Sequence, residues 1–415
     1  MSAERVVVAA VRSAEVRALV EGARGLAVIA VGKAAAGMLA GWRRESSRPW
    51  RVAIGVGPGP APAVADMAWY QTAHPVPDTR SVVAARAVLD VADALAEEDL
   101  LVVLLSGGAS ALMALPAEGL SLDDKRAVTA RLLAEGTTIR ELNTVRTHLS
   151  AIKGGRLAAA TPARVLTLAL SDVVGDHAST IGSGPTVADP TTFADAYAVL
   201  VRRGGLAAYP PAVVAHLSAG MAGAVADTPK QFDENRVTAR VIGSNAIAVT
   251  AAASRARALG YRTHVLPEPV VGDARAAGRA VIRAALALRD RHQATCVLAG
   301  GETTVRVTGQ GRGGRNQECA LQMAIELDRG VATIAASLGT DGIDGPTNAA
   351  GGLVDQNTMT RIRAAGIDAE QALVNNDSYP VLAAIDGLIV TGPTGTNVGD
   401  MQIVLMAPAA EVSRV

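Results

Sequence analysis

Aromatic side chains are scarce, with Phe, Trp and Tyr together making 2% of the 415 residues. That is too few rings for a base-stacking platform on single-stranded nucleic acid. A surplus of one charge is also missing, since 39 Lys+Arg face 39 Asp+Glu. This argues against nucleic acid or an anionic membrane as the main partner. Cysteine is nearly absent. Cys296 and Cys319 stand singly in apolar or helical stretches without C-x-x-C or metal-like spacing, which reads as buried thiols in a reduced cytoplasm. The N-terminus MSAERVVVAAVRSAE lacks the basic start, apolar core and cleavage site of a signal peptide. The uncharged stretch 204–226 is mostly Ala and Gly and holds Pro210, Pro211 and His216, too weakly apolar to span a bilayer.

Several catalytic patterns are lacking as well. No segment fits G-x-x-x-x-G-K-[ST], because Lys33 is followed by Ala and has no upstream glycine, so a P-loop is excluded. His74, His148 and His177 are scattered without ligand spacing, and no G-x-S-x-G elbow occurs; zinc and serine-hydrolase readings drop out. What remains, 49% hydrophobic and 19% charged residues over 415 positions, is ordinary for a globular protein of two or three domains acting on small molecules.

Short apolar runs recur with helical patterns between most of them. Strands are expected near Leu26–Val31, Arg51–Val56, Leu100–Leu105, Val165–Leu170, Val237–Ile242, Thr295–Ala299, Ala332–Leu338 and Leu388–Val390. Continuous rather than alternating hydrophobicity means that both faces are covered, which favours parallel sheets flanked by helices. The polar, proline-containing stretch Asp227–Asn235 marks a domain boundary, giving domains 1–230 and 231–415.

Polar and glycine residues follow these strands: Gly32-Lys33, Ser106-Gly107-Gly108, Ser171-Asp172, Gly243-Ser244-Asn245, Gly300-Gly301-Glu302, Gly339-Thr340-Asp341 and Thr391-Gly392. In open α/β sheets the ligand crevice lies outside the carboxyl ends. The turn Ser106–Ser110 offers bare N–H groups for a phosphate or carboxylate, with a tight turn that binds nothing an equal alternative. Asp172 and Asp341 could hold Mg²⁺ with substrate phosphates completing the octahedron; Asx-turns and helix caps explain such acids more often. Thr138–Gly155 is expected to be one amphipathic helix, placing Asn143, Arg146, Ser150 and Lys153 on a face that is either solvated or anion-binding. Gly309–Gly314 matches G-x-G-x-x-G weakly, with Arg312 and Arg315 beside it. The acids at the distance expected for a ribose contact, Glu326 and Asp328, still fall in the following helical pattern.

These motifs together resemble the D-glycerate 2-kinase family, whose C-terminal part is the module called MOFRL. The resemblance runs through VGKAAAGM at Val31, HPVPD at His74, LLSGGASALM at Leu104, LNTVRTHLSAIKGGRLA at Leu142, LSDVVGD at Leu170 and GSGPTVADPTT at Gly182. It continues through GGETTV at Gly300, GRGGRNQE at Gly311, GTDGIDGPTN at Gly339, NNDSY at Asn375 and TGPTGTNVGD at Thr391, about nine-tenths of the chain in the family's order.

The resemblance implies an α/β fold with two α/β domains. An N-terminal Rossmann-like, mostly parallel sheet would be flanked by helices, a C-terminal MOFRL domain would follow, and the active site would lie in the cleft between them. It implies ATP- and Mg²⁺-dependent phosphorylation of D-glycerate at the 2-hydroxyl by a cytoplasmic monomer or homodimer. Lys33, Asp172, Glu302, Arg315 and Asn397 fall on the family's functional positions. Lys33, Asp172 and Arg315 are then the catalytic candidates. Ser106, Gly107, Gly108, Ser110, Asn143, Arg146, Lys153, Asn245, Glu302, Asn316, Thr394 and Asn397 are the substrate- or nucleotide-binding candidates, with Asp172 and Asp341 on the metal. Asn348 departs from the family's usual Asp. Relatives have also been called hydroxypyruvate reductases, so NAD(P)H-dependent hydride transfer is the competing activity, and a catalytically silent ligand-binding protein the competing class.

Overall fold

The computed structural model describes residues 2–173, 175–327 and 332–408. The chain divides into two compact units, Ser2–Gly243 and the chain from Ser244 onward. The first is built on six parallel strands, β1 (Leu26–Val31), β2 (Val52–Gly57), β3 (Ala68–Gln71), β4 (Leu100–Leu105), β5 (Arg164–Leu170) and β6 (Val237–Gly243). Their order across the sheet is β3-β2-β1-β4-β5-β6, the Rossmann arrangement. The order reverses between β1 and β4, the place where such sheets bind ligands.

Every residue of β1 and β4 is buried, and side-chain alternation explains how. Ala27, Ile29, Val31, Leu101, Val103 and Leu105 join one core, whereas Leu26, Val28, Ala30, Leu100, Val102 and Leu104 join the other. The helix Thr79–Asp93 covers the first face and Ala35–Glu45 the second.

The second unit carries β7 (Arg262–Val265), β8 (Val270–Asp273), β9 (Thr295–Thr304), β10 (Thr333–Gly339), β11 (Gly351–Asp355), β12 (Leu388–Ile389) and β13 (Asp400–Met406). Its order is β12-β11-β10-β13-β9-β7, with β8 paired to β9. The expectation of a parallel sheet fails here, because β9, β13, β10, β11 and β12 pair antiparallel and only β7 and β8 run parallel to β9. In β13, Met401, Ile403 and Leu405 pack toward the core under the helix Asn245–Ala258, while Val404 and Met406 pack toward the helices Ala274–Ala287 and Arg315–Leu327.

Three further expectations are corrected. The stretch Asp227–Asn235 lies inside the first unit, since β6 still pairs with β5. Gly300-Gly301-Glu302 does not follow a strand but continues β9. The amphipathic helix stops at His148 instead of Gly155. Ser150 forms a bridge with Pro116 and donates its hydroxyl to the Leu115 carbonyl, and Gly154 and Gly155 turn left-handed at φ 58° and 80°. Ser150 and Lys153 therefore leave the helix that carries Asn143 and Arg146.

Candidate functional site

In the first unit the turns after β1 and β4 interlock. The Lys33 amide donates to the Gly107 carbonyl at 2.9 Å and the Ala34 amide to Ser106 Oγ at 3.1 Å. Gly32 is at φ 130°, and a Cβ there would stand 2.1 Å from Ser106 Oγ, so only glycine fits this close approach. A Cβ on Gly107 would lie 1.8 Å from Asp172 Oδ2. One on Gly108, itself at φ 84°, would lie 3.0 Å from the His74 ring and 3.3 Å from Lys33 Cγ. Lys33, His74 and Asp172 thus surround a bare Gly107–Gly108 turn at the switch point of the sheet.

Burial raises the Asp172 carboxyl above its ordinary range, and Lys33 pulls it back only in part. Burial lowers His74, with the Lys33 charge adding to it. A carboxylate and an ammonium that feel each other in a partly dry site suit chemistry more than stability.

Next to this turn, Ser110 Oγ lies 2.8 Å from Ser183 Oγ, whose hydroxyl donates to Asn143 Oδ1 at 3.2 Å. Asn143 and Arg146 sit one turn apart on the helix Ile139–His148, whose start is fixed by the Thr138/Glu141 capping box. Glu141 also holds Arg202 and Arg203, which depress its carboxyl to about 2. Lys153 is 2% exposed and donates to the Gly182 carbonyl at 3.3 Å; burial, then the Arg146 charge, lower it to about 7. A cavity of about 450 Å³ opens beside Asn143, Thr147, Gly154, Val173 and Ser183.

The second unit gathers the remaining candidates. Arg315 grips the fully buried Asp400 with two bonds, Nε–Oδ2 at 2.7 Å and Nη2–Oδ1 at 2.9 Å, and reaches Glu302 at 3.3 Å. Burial works against the Arg315 charge, and the Asp400 bond more than reverses that, so the guanidinium pKa rises. Asn245 donates to the carbonyls of Val398 and Asp400, Asn397 Oδ1 accepts from the Gly399 amide, and Thr394 Oγ1 donates to the Thr340 carbonyl. Asn316 Oδ1 accepts from Ser337 Oγ at 2.7 Å. Each of these four holds a neighbouring loop or strand.

The G-x-G-x-x-G match turns out to be a packing device. The amides of Gly309, Gln310, Gly311 and Arg312 donate to Asn376, Asn375 and Asp377. A Cβ on Gly309 or Gly311 would strike Asn375 or Asp377 within 2.4 Å. The helix Arg315–Leu327 that follows is already capped, because Asp344 accepts from the amides of Asn316 and Gln317. A pyrophosphate would find the amides of Gly309, Gln310, Gly311 and Arg312 already engaged and the first helix amides capped. Glu326 lies in that helix, and Asp328 lies outside the described residues.

Among the described residues no three His, Cys, Asp or Glu side chains are grouped to hold a metal ion. A single half-buried carboxylate at Asp172 nevertheless suits Mg²⁺, which takes one or two carboxylates and completes its shell with substrate phosphates and water. Asp341 has one oxygen engaged by the Ile343 amide, as an Asx-turn. Nothing in the local sequence marks His74, which has no metal-ligand spacing, or Asp400, which ends a glycine-rich run; the buried Asp400 carboxylate needs a cation, and Arg315 supplies it.

Residues 1–218 match a family described as a domain of unknown function, DUF4147, and residues 295–400 match the MOFRL family. D-glycerate 2-kinase of Thermotoga maritima is 41% identical over 348 residues, covering 83% of this chain and 81% of that protein. A protein of Agrobacterium vitis, provisionally named a hydroxypyruvate reductase, is 45% identical over 344 residues, covering 81% and 76%. The crystal structure of glycerate kinase from Thermotoga maritima superposes with a TM-score of 0.86 at 37% identity, covering 98% of this chain and 96% of that one. Among the described residues no helix is long and apolar enough to cross a membrane.

Proposed function

We infer the activity from the premise that this chain belongs to the glycerate 2-kinase family. It transfers the γ-phosphoryl group of ATP to the 2-hydroxyl of D-glycerate, giving 2-phosphoglycerate and ADP. The observation that carries this reading is the meeting of Lys33 and Asp172 around the Gly107–Gly108 turn at the strand-order reversal. Phosphoryl transfer asks little covalent work of a protein. It needs alignment, cations facing the charge that spreads over the transferred group, and an acceptor for the hydroxyl proton.

In our reading the Gly107–Gly108 turn offers its backbone N–H groups to phosphate oxygens, and the Lys33 ammonium faces them. The 2-hydroxyl oxygen attacks phosphorus, the bond to the ADP oxygen breaks, and the hydroxyl proton passes to Asp172, whose carboxyl is made more basic by burial. If Asp172 serves as metal ligand rather than as base, it would hold Mg²⁺, which would supply charge neutralisation on the phosphates. His74, held uncharged beside Lys33, orients rather than adds charge. Within the second unit, Asp400 fixes the guanidinium plane of Arg315 beside Glu302. The two free cysteines are buried and raised to about 11 and 12, which suits a thiol-reducing cytoplasm.

The reductase alternative loses its support in the structure, because its glycine motif is filled by Asn375–Asp377. A direct comparison tests the reading: purified protein given ATP, Mg²⁺ and D-glycerate should release ADP, and given hydroxypyruvate with NADH or NADPH should leave the absorbance at 340 nm unchanged. Oxidation of NAD(P)H without ADP release would reverse the assignment.

A further inference from the structure

Burying a cation is unfavourable unless a counter-charge or good acceptors come with it, and in the first unit two cations break that rule. Among the described residues Lys153, 2% exposed, has no carboxylate within ion-pair distance and makes one long bond, 3.3 Å to the Gly182 carbonyl. The partly buried guanidinium of Arg146 has neither an ion pair nor a hydrogen bond among the described residues. Their neighbour Lys125 differs, because its ammonium caps the end of the helix Ile139–His148 by donating to the Leu149 carbonyl at 2.8 Å. Arg156 reaches the carbonyls of Thr147 and Ala226 and feels Asp227 and Asp189. Lys153 and Arg146 instead repel each other, and burial lowers both.

Neutral hydrogen-bonding groups stand beside them. Asn143 lies one turn before Arg146 and is linked through Ser183 to Ser110, on the turn that leads from Gly107 and Gly108. Ser183 is held at φ 59° between two left-handed glycines, so its hydroxyl is placed by the backbone. Asn143, Thr147, Gly154 and Ser183 line a cavity of about 450 Å³, and Lys153 lies just behind that lining, next to Gly154 and bonded to the Gly182 carbonyl.

We propose that Arg146 and Lys153, with Asn143 and Ser183 beside them, form an oxyanion subsite that takes the carboxylate of the hydroxy-acid acceptor. This rests on the kinase reading for the acceptor's identity, not for the existence of the subsite. The compact, singly charged carboxylate supplies the missing counter-charge, while the Gly107–Gly108 turn and Lys33 remain for phosphate. Arg146 and Lys153 are specificity residues.

The test pairs binding with kinetics on the intact protein. D-Glycerate binding measured by calorimetry without ATP should weaken about 10- to 100-fold in Lys153→Met and Arg146→Ala, the loss of one charged hydrogen bond, and Arg146→Lys should recover part of it. KM for D-glycerate should rise by the same factor, with KM for ATP within about threefold. D-Glyceramide, which lacks the charge, should bind wild type and Lys153→Met alike. Lys153→Met should also raise the melting temperature, because it removes a buried uncompensated charge; a lysine with a merely structural role would lower it. Unchanged D-glycerate affinity in both variants overturns the proposal, and a rise in KM for ATP alone reassigns the cations to nucleotide phosphate and overturns it too. If wild type binds D-glycerate through Lys153 yet transfers no phosphate, the subsite stands and the kinase reading fails.

Discussion

Gly107→Ala displaces the proposed base without removing any charged group. Gly107 does not occupy the left-handed region, so alanine adds no backbone strain; its only conflict is with the Asp172 carboxylate, 1.8 Å from the new Cβ at Oδ2 and 2.6 Å at Cγ. Ordinary contact needs about 3.4 Å, so the carboxylate must shift by roughly 1.5 Å. A misplacement of about 1 Å at a reacting group lowers rate by about 10², and one extra buried methyl lowers stability by about 1–3 kcal/mol. Gly107→Ala should therefore lose about 10² or more in kcat, with KM for ATP little changed and the protein folded. Gly59→Ala is the matched control, since a Cβ there meets nothing within 4 Å, and it should keep wild-type kcat. ADP release under saturating substrates reads the rate, and thermal melting reads the fold. Wild-type kcat in a folded Gly107→Ala protein would refute the placement of Asp172 at the reacting atoms.

Lys33→Ala should lower kcat by about 10² or more with thermal stability nearly unchanged, because its ammonium faces transferred charge; near-normal turnover would remove it from the mechanism. Arg315→Ala strands the fully buried Asp400 and should destabilise the protein by about 3–5 kcal/mol, whereas Arg315→Ala with Asp400→Asn should regain most of the stability but not the activity. Recovery of both would make Arg315 purely structural. Glu141→Gln tests the helix that carries Asn143 and Arg146. The folded Glu141 pKa is depressed from 4.5 to about 2, so its stabilisation is full above about pH 4.5 and is lost as pH falls through about 2. The variant should lose about 1 kcal/mol near neutral pH, the figure for a solvent-screened ion pair. The difference from wild type should vanish at about pH 2 in denaturant melts.

The first sheet was legible because β1 and β4 are uniformly apolar, β5 is apolar but for Arg164 and Thr167, and each ends in a distinctive turn; Gly32-Lys33, Ser106–Gly108 and Ser171-Asp172 stand where those ends converge. The second sheet was less legible. The strands β7, β8 and β11 are short or half-polar, and no local pattern states that β13 inserts antiparallel between β10 and β9. Helical periodicity carried on past His148 because Leu149 and Ile152 remain in phase; what stops the helix is the bridge from Ser150 to Pro116, a contact across 34 residues that local spacing does not contain. Glycine spacing at Gly309–Gly314 was a weak signal for a related reason. Those glycines make room for Asn375–Asp377, and sequence shows that something approaches closely without showing what.

Product identity tests the central claim most directly. After incubation with ATP, Mg²⁺ and D-glycerate, ³¹P NMR should show one new phosphomonoester, which enolase converts directly to phosphoenolpyruvate, as 2-phosphoglycerate requires. A product that enolase accepts only after phosphoglycerate mutase is added would be 3-phosphoglycerate, and would contradict transfer to the 2-hydroxyl.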